Sequence, residues 1–267
     1  MKSKKINYRW VLFLSTTLFL SADASVNTTS TSNITDSQLL NLAGKQRMLS
    51  QRIAKDYLYI GKNIAKTKAN KQLKESMNSF LLAHRKLQSS VQDEEVKNLL
   101  AFVELSSNDF KDISSQKFTL DNAQLILDLS ESMLEGSQYI FNSLQNTFKL
   151  KELKVIDMAT QQRMLSQRIA KYYISYQSGI KDKNSIEMMR DTVKNFSKNL
   201  EILMKNPHNT PQITKKLVKI EKLWKIVHKF YNNIEKGGLP LIVFNTTDNI
   251  TKKMDEITKM YLLSLKQ

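Results

Sequence analysis

The chain holds 34 Lys but only seven Arg, and four of those seven lie in two copies of one string. Gln46–Lys55 reads QRMLSQRIAK, and Gln162–Lys171 reads QRMLSQRIAK again, 116 positions later. The four arginines are Arg47, Arg52, Arg163 and Arg168. A sequence that prefers Lys almost everywhere keeps Arg where a planar guanidinium can grip a carboxylate or oxyanion with paired donors. Gly44, Ser50 and Gln51 surround Arg47, with Ala43 and Ala54; Ser166 and Gln167 surround Arg163, with Ala159, Thr160 and Ala170. Small side chains let another helix approach closely, while hydroxyls and amides offer hydrogen bonds beside the guanidinium. The chemistry this suits is holding a small anion between two helices. The ordinary reading of an Arg on a helix flank, a solvated ion pair or a packed stem, stands beside it.

The second Arg of each copy lies about 140° around the helix from the first, so one ligand cannot easily take both. Arg47 and Arg163 are therefore the expected ligand donors, with Ser50, Ser166, Gln51, Gln167 and Gly44 around them. Arg52 and Arg168 are expected to pair with acids on neighbouring helices. No catalytic constellation accompanies them, which argues against an enzyme. His84, His208 and His228 are isolated, so no metal site or cofactor is expected. Asp56 of the first copy is replaced by Tyr172 in the second.

These residues need helices to position them. Six Gly and three Pro are few for 267 residues, and apolar spacing is helical throughout. The sequence predicts an all-α fold of two tandem antiparallel four-helix bundles, over residues 35–147 and 148–267. Thr35 or Asp36 caps the first helix, which should end at Gly61 as a C′ residue. Further helices are expected over about 72–91, 94–113 and from Thr119, where Leu125, Leu129, Met133, Ile140 and Leu144 form a stripe. The second repeat should place helices up to Gly179, then over about 185–205, 212–235 and from Leu239 onward. Leu42, Leu49, Ile53, Tyr57 and Ile60 make a core stripe on the first helix. Between Gln145 and Asp157 there is no Gly or Pro. A straight joint is therefore weakly favoured, which would stack the bundles end to end and separate the two strings.

Met1–Ala24 has the features of a secretory signal peptide: a basic start, an apolar run from Trp10, and the Ala22-Asp23-Ala24 site. An uncleaved N-terminal membrane anchor is the alternative. Residues 25–34 read as a solvated Ser/Thr/Asn linker. The first 24 residues carry Lys2, Lys4, Lys5 and Arg9 against Asp23, so their removal lowers the net charge from +16 to +13. Exported, and without aromatic interleaving, this charge reads as Lys-rich solvated faces rather than a nucleic-acid surface. The chain has no Cys, so packing alone must hold the fold.

The string AGKQRMLSQRIAK at Ala43–Lys55 resembles the signature of the PilJ-type domain, the N-terminal sensory domain of type IV pilus chemotaxis transducers. It is also similar to the P-box of nitrate/nitrite sensor histidine kinases, Ala-Gly-x-x-Arg-Met-x-Ser-x-Arg. The first copy matches at Ala43, Gly44, Arg47, Met48, Ser50 and Arg52; the second matches at Ala159, Arg163, Met164, Ser166 and Arg168 but has Thr160 in place of Gly. The resemblance implies a periplasmic four-helix bundle in which Arg47 and Arg163 bind nitrate or nitrite at a two-fold interface. It implies a membrane sensor kinase or chemoreceptor, or self-association, as partner. The competing expectation is a helical interaction protein whose repeated strip is only a helix–helix interface.

Overall fold

Thr35 opens the first helix. Its hydroxyl accepts from the Gln38 backbone N–H at 3.3 Å, while its own N–H donates to the Gln38 side chain at 2.8 Å. This capping box satisfies two orphan donors at once. Asp93, Thr119, Asp182 and Thr210 cap later helices with a single side-chain bond each. The computed structural model describes residues 34–148 and 153–264. The expected signal segment and all but the last residue of the expected linker lie outside the described residues. Among the described residues there are eight α-helices and no strand. They are α1 (Asp36–Gly61), α2 (Lys66–Ser90), α3 (Glu94–Ser114), α4 (Leu120–Thr147), α5 (Leu153–Ser178), α6 (Lys183–Met204), α7 (Pro211–Asn232) and α8 (Pro240–Ser264). The all-α expectation holds, with four helices in each repeat.

Several local expectations change. Gly61 is the last helical residue, and the chain reverses just beyond it at Asn63 (φ +56) and Ala65 (φ +48). Gly61 is instead a close-approach position: a Cβ there would lie 2.1 Å from the Phe118 ring. Gly179 does take a left-handed φ of +108 after α5. On α4 the stripe is buried at Met133, Ile140 and Leu144, but Leu125 is half exposed. The inward face runs instead through Ala123, Ile126, Ser130 and Ser137.

The largest departure is at the joint. Phe148 leaves α4 in an extended conformation (φ −90, ψ 122), and α5 restarts at Leu153, with residues 149–152 outside the described set. The second repeat folds back beside the first. Lys55 and Tyr59 of α1 bond to Asp248 and Pro240 of α8, so these two helices run antiparallel. Arg163 and Gln167 of α5 bond to Asp255 and Thr251, so α5 is also antiparallel to α8. Helices α1 and α5 therefore run parallel, side by side. End-to-end stacking would have left the α1 and α5 faces that now meet each other in water. Folding back buries Leu40, Ala43, Met48, Ala159 and Met164 along with their small neighbours, and apolar burial at ~25 cal/mol per Å² decides the geometry. Helix α1 is consequently buried nearly all round, far beyond the expected stripe.

Candidate functional site: paired arginines between the repeats

The parallel packing of α1 on α5 is tight at Gly44. A Cβ on Gly44 would lie 2.9 Å from Thr160 Cγ2 and 3.3 Å from Arg163 Nη2. The second copy thus carries Thr where the first carries Gly because the threonine methyl fills the space that the glycine leaves. The Thr160 hydroxyl accepts from Arg47 Nη2 at 2.5 Å.

Arg47 and Arg163 are both fully buried at this interface. Arg47 donates from Nη1 to Gln138 at 2.7 Å and from Nη2 to Asp157 at 3.1 Å, and it stacks on Phe141 with 3.8 Å to the ring centre. Arg163 donates from Nη1 to Asp255 at 2.7 Å and from Nη2 to Asn41 at 3.2 Å. Burial pulls the Arg47 guanidinium down to about 10; Asp157 opposes the fall and Arg163 adds to it. Burial likewise lowers Arg163 against the pull of Asp255. Arg47 therefore stays charged at neutral pH. The Nε of each is buried without a hydrogen-bond partner. Each charge is met by one carboxylate that keeps some contact with water, 22% exposed for Asp157 and 31% for Asp255.

The remaining polar site residues named from sequence make their hydrogen bonds within the protein, some along their own helix and some to a neighbouring one. Ser50 and Ser166 donate back to the Arg47 and Arg163 carbonyls at 2.9 Å. Gln51 donates to the Ser130 carbonyl at 2.8 Å, and Gln167 to the Thr251 hydroxyl at 2.6 Å. Arg168 pairs with Glu131 at 2.5 Å, as expected of the second Arg. Arg52 does not: it forms no ion pair among the described residues, and its Nε is buried and unpartnered.

Sequence reasoning missed a second polar layer two turns deeper. Lys55 and Lys171, the last residues of the two strings, are fully buried. Lys55 reaches across to Asp248 of α8 at 2.7 Å, and Lys171 across to Glu131 of α4. Burial pushes Glu131 up, but Lys171 and Arg168 together outweigh it and hold the carboxyl at about 2. Burial drives Lys171 down to about 8 despite Glu131. Beside Lys55 lies Asp56, also fully buried, whose carboxylate faces the Lys55 ammonium at 3.3 Å and accepts no other hydrogen bond. The signal was present, since Lys55 and Lys171 belong to the identical string. Their acids were hidden because Glu131 and Asp248 are 117 positions apart, one step out of the register of the strings.

Two pairs, Arg47–Gln138 with Arg163–Asp255 and Lys171–Glu131 with Lys55–Asp248, make the two repeats related by an internal pseudo-two-fold axis. The family model for the type IV pili methyl-accepting chemotaxis transducer N-terminal region (PilJ) matches residues 28–104 and 146–243. The chain belongs to the PilJ family. Both matched segments of this PilJ-family chain contain a copy of the string, one on α1 and one on α5. No curated protein and no solved structure matches the chain. Among the described residues no helix is long and apolar enough to cross a membrane, and no group of His, Cys, Asp or Glu could hold a metal ion.

Proposed function

We propose that this PilJ-family chain is a non-enzymatic sensory module. It binds a small oxyanion of the nitrate or nitrite kind between Arg47 and Arg163, and passes occupancy to a membrane partner as a change in how α1 packs on α5. The observation that carries this reading is the burial of two guanidinium groups in one interface, each with an idle Nε. Both are balanced by carboxylates on partly wet side chains. An entering anion would take the place of Asp157 or Asp255, which would turn to water. Binding is thereby tied to the contacts that join the repeats. The basic, apolar start of Met1–Ala24 supports export to the periplasm for the same module.

A thermal unfolding series with nitrate, nitrite, sulfate and chloride at constant ionic strength tests the reading. A specific ligand at 100 times its dissociation constant adds about 2.7 kcal/mol. Equal effects from all four anions would reject it.

A second reading has its own support. Gln51, Ser166 and Gln167 all bond to residues of a neighbouring helix, as in a permanent helix–helix interface. On that reading Asp157 and Asp255 neutralise the arginines for good, and the module works by docking a protein partner. The same salt series then gives only generic effects.

A further inference from the structure

The pseudo-two-fold axis creates two equivalent grooves where one repeat meets the other, and their charges have diverged. One groove, of about 760 Å³, lies between α4 and α5–α6 and carries Asp128, Glu131, Glu135 and Asp182 against Arg168. Its mate, of about 420 Å³, lies between α1–α2 and α8 and carries Lys45, Arg52, Lys68 and Lys252. Arg52 stands where Arg168 stands in the other groove, Lys252 where Glu135 stands, and Asp248 where Glu131 stands.

The two acids of the basic groove neutralise only part of its rim: Asp248 meets Lys68 at 3.7 Å, and Asp255 is taken up by Arg163 at 2.7 Å and Lys259 at 2.8 Å. Asp248 also turns inward to buried Lys55 at 2.7 Å, and accepts from Gln72 at 3.1 Å. Arg168 keeps Glu131, whereas Arg52, Lys45 and Lys252 have no ion pair among the described residues. Burial pushes the Lys45 ammonium below its ordinary range against the pull of Asp255, and Arg163, Lys259 and Arg52 add to the fall. A guanidinium with a buried, idle Nε beside further unpaired cations is poised for an anion.

The spacing narrows the ligand. Lys45 and Arg52 are two turns apart on α1, about 10 Å along the axis, and Lys68 and Lys252 approach from the facing helices. A single-centre anion reaches one end only. We propose that the basic groove is a second anion site, separate from the α1–α5 interface, and that it takes a small organic di- or tricarboxylate whose charges are set apart. Arg52 grips one carboxylate with paired donors. Lys45, Lys68 and Lys252 share the other, and the amides of Gln72 and Asn249 line the groove between them.

Titration calorimetry of the full chain with citrate and with succinate, at fixed ionic strength, tests this. One saturable site per chain is expected. Arg52→Gln should weaken it about tenfold, the equivalent of one charge-assisted hydrogen bond. Arg52→Lys should recover part of the loss. Lys252→Gln, at an exposed position that carries no packing, should weaken binding without altering the fold. Lys62→Gln removes the same charge elsewhere and should change nothing. Excess nitrate should not displace citrate, so failure of the oxyanion reading leaves this one standing. No saturable binding, equal losses in the Lys252 and Lys62 variants, one-for-one displacement by nitrate, or inorganic phosphate binding as tightly as citrate would each overturn the proposal.

Discussion

Arg47 and Asp157 are joined across the two repeats, Nη2 to Oδ1 at 3.1 Å, although 110 positions separate them in the chain. The guanidinium is fully buried and the carboxylate is 22% exposed. Asp157→Asn keeps the shape but leaves Arg47 as a buried charge held only by neutral groups and the Phe141 ring. Breaking one side of a buried pair costs about 3–5 kcal/mol, and the exposure of Asp157 puts this case at or below the lower end. The expected result is a lower melting temperature in anion-free buffer and a larger rise with nitrate than the parent shows. A variant that melts lower but gains nothing extra from any oxyanion would favour the permanent-interface reading.

The close approach at Gly44 yields a prediction in which the sign decides. On an open helix face, Gly→Ala stabilises by about 1 kcal/mol through helix propensity. Here the added methyl would meet Thr160 Cγ2 at 2.9 Å and Cβ at 3.0 Å. Overpacking of this kind costs about 1–3 kcal/mol, so Gly44→Ala should destabilise. Adding Thr160→Ser removes the nearer methyl and should return part of the loss. Urea denaturation of the parent and the two variants checks this, and a more stable Gly44→Ala would mean that α1 does not pack on α5 there.

How far the sequence could lead is visible at these same residues. The duplication, the helix starts at Thr35 and Thr119, and the pairing of Arg168 with an acid follow from local residue types and spacing. The face-to-face packing does not. Helix propensity through Gln145–Asp157 contains no breaker, whereas the reversal is imposed by burial of two whole helix faces. Lys55 and Lys171 were unremarkable on propensity, because lysines ordinarily reach to water. Their burial follows from the helix that covers each. The partners of Arg47 and Arg163, namely Asp157, Asn41 and Asp255, belong to the other repeat or another helix. No local spacing links them to the arginines.

The Lys171–Glu131 pair makes a third prediction. Lys171 is fully buried with Glu131 and the Ser130 hydroxyl as its acceptors. Glu131→Gln leaves an ammonium without a counter-charge, and also strips Arg168 of its carboxylate. The expected loss is on the order of 3–5 kcal/mol. The double variant Glu131→Gln with Lys171→Met removes the buried charge and should be more stable than Glu131→Gln alone. Chemical denaturation with comparable m-values in all variants makes the comparison valid. A double variant no better than the single would show that the lysine is not confined in the core.

Asp56 gives the pH dependence. Burial raises its carboxyl to about 7, with Asp248 pushing the same way and Lys55 and Arg52 resisting. The unfolded chain releases that proton near 4. Between about pH 4 and 7 the native state therefore holds a proton that the unfolded state has lost, and stability falls as pH rises through this window. The full span corresponds to about 4 kcal/mol. His84 acts in the opposite sense: burial lowers its pKa, despite Glu104, so its contribution grows as pH rises through the ordinary histidine range. The difference between parent and Asp56→Asn isolates the carboxyl, because His84 is common to both. That variant should lose the decline and be the more stable protein above pH 7, since Lys55 keeps Asp248 and Gln72 as partners. Urea midpoints of the two proteins from pH 5 to 8 would settle the point: parallel curves would mean that Asp56 titrates as an ordinary, solvated carboxylate.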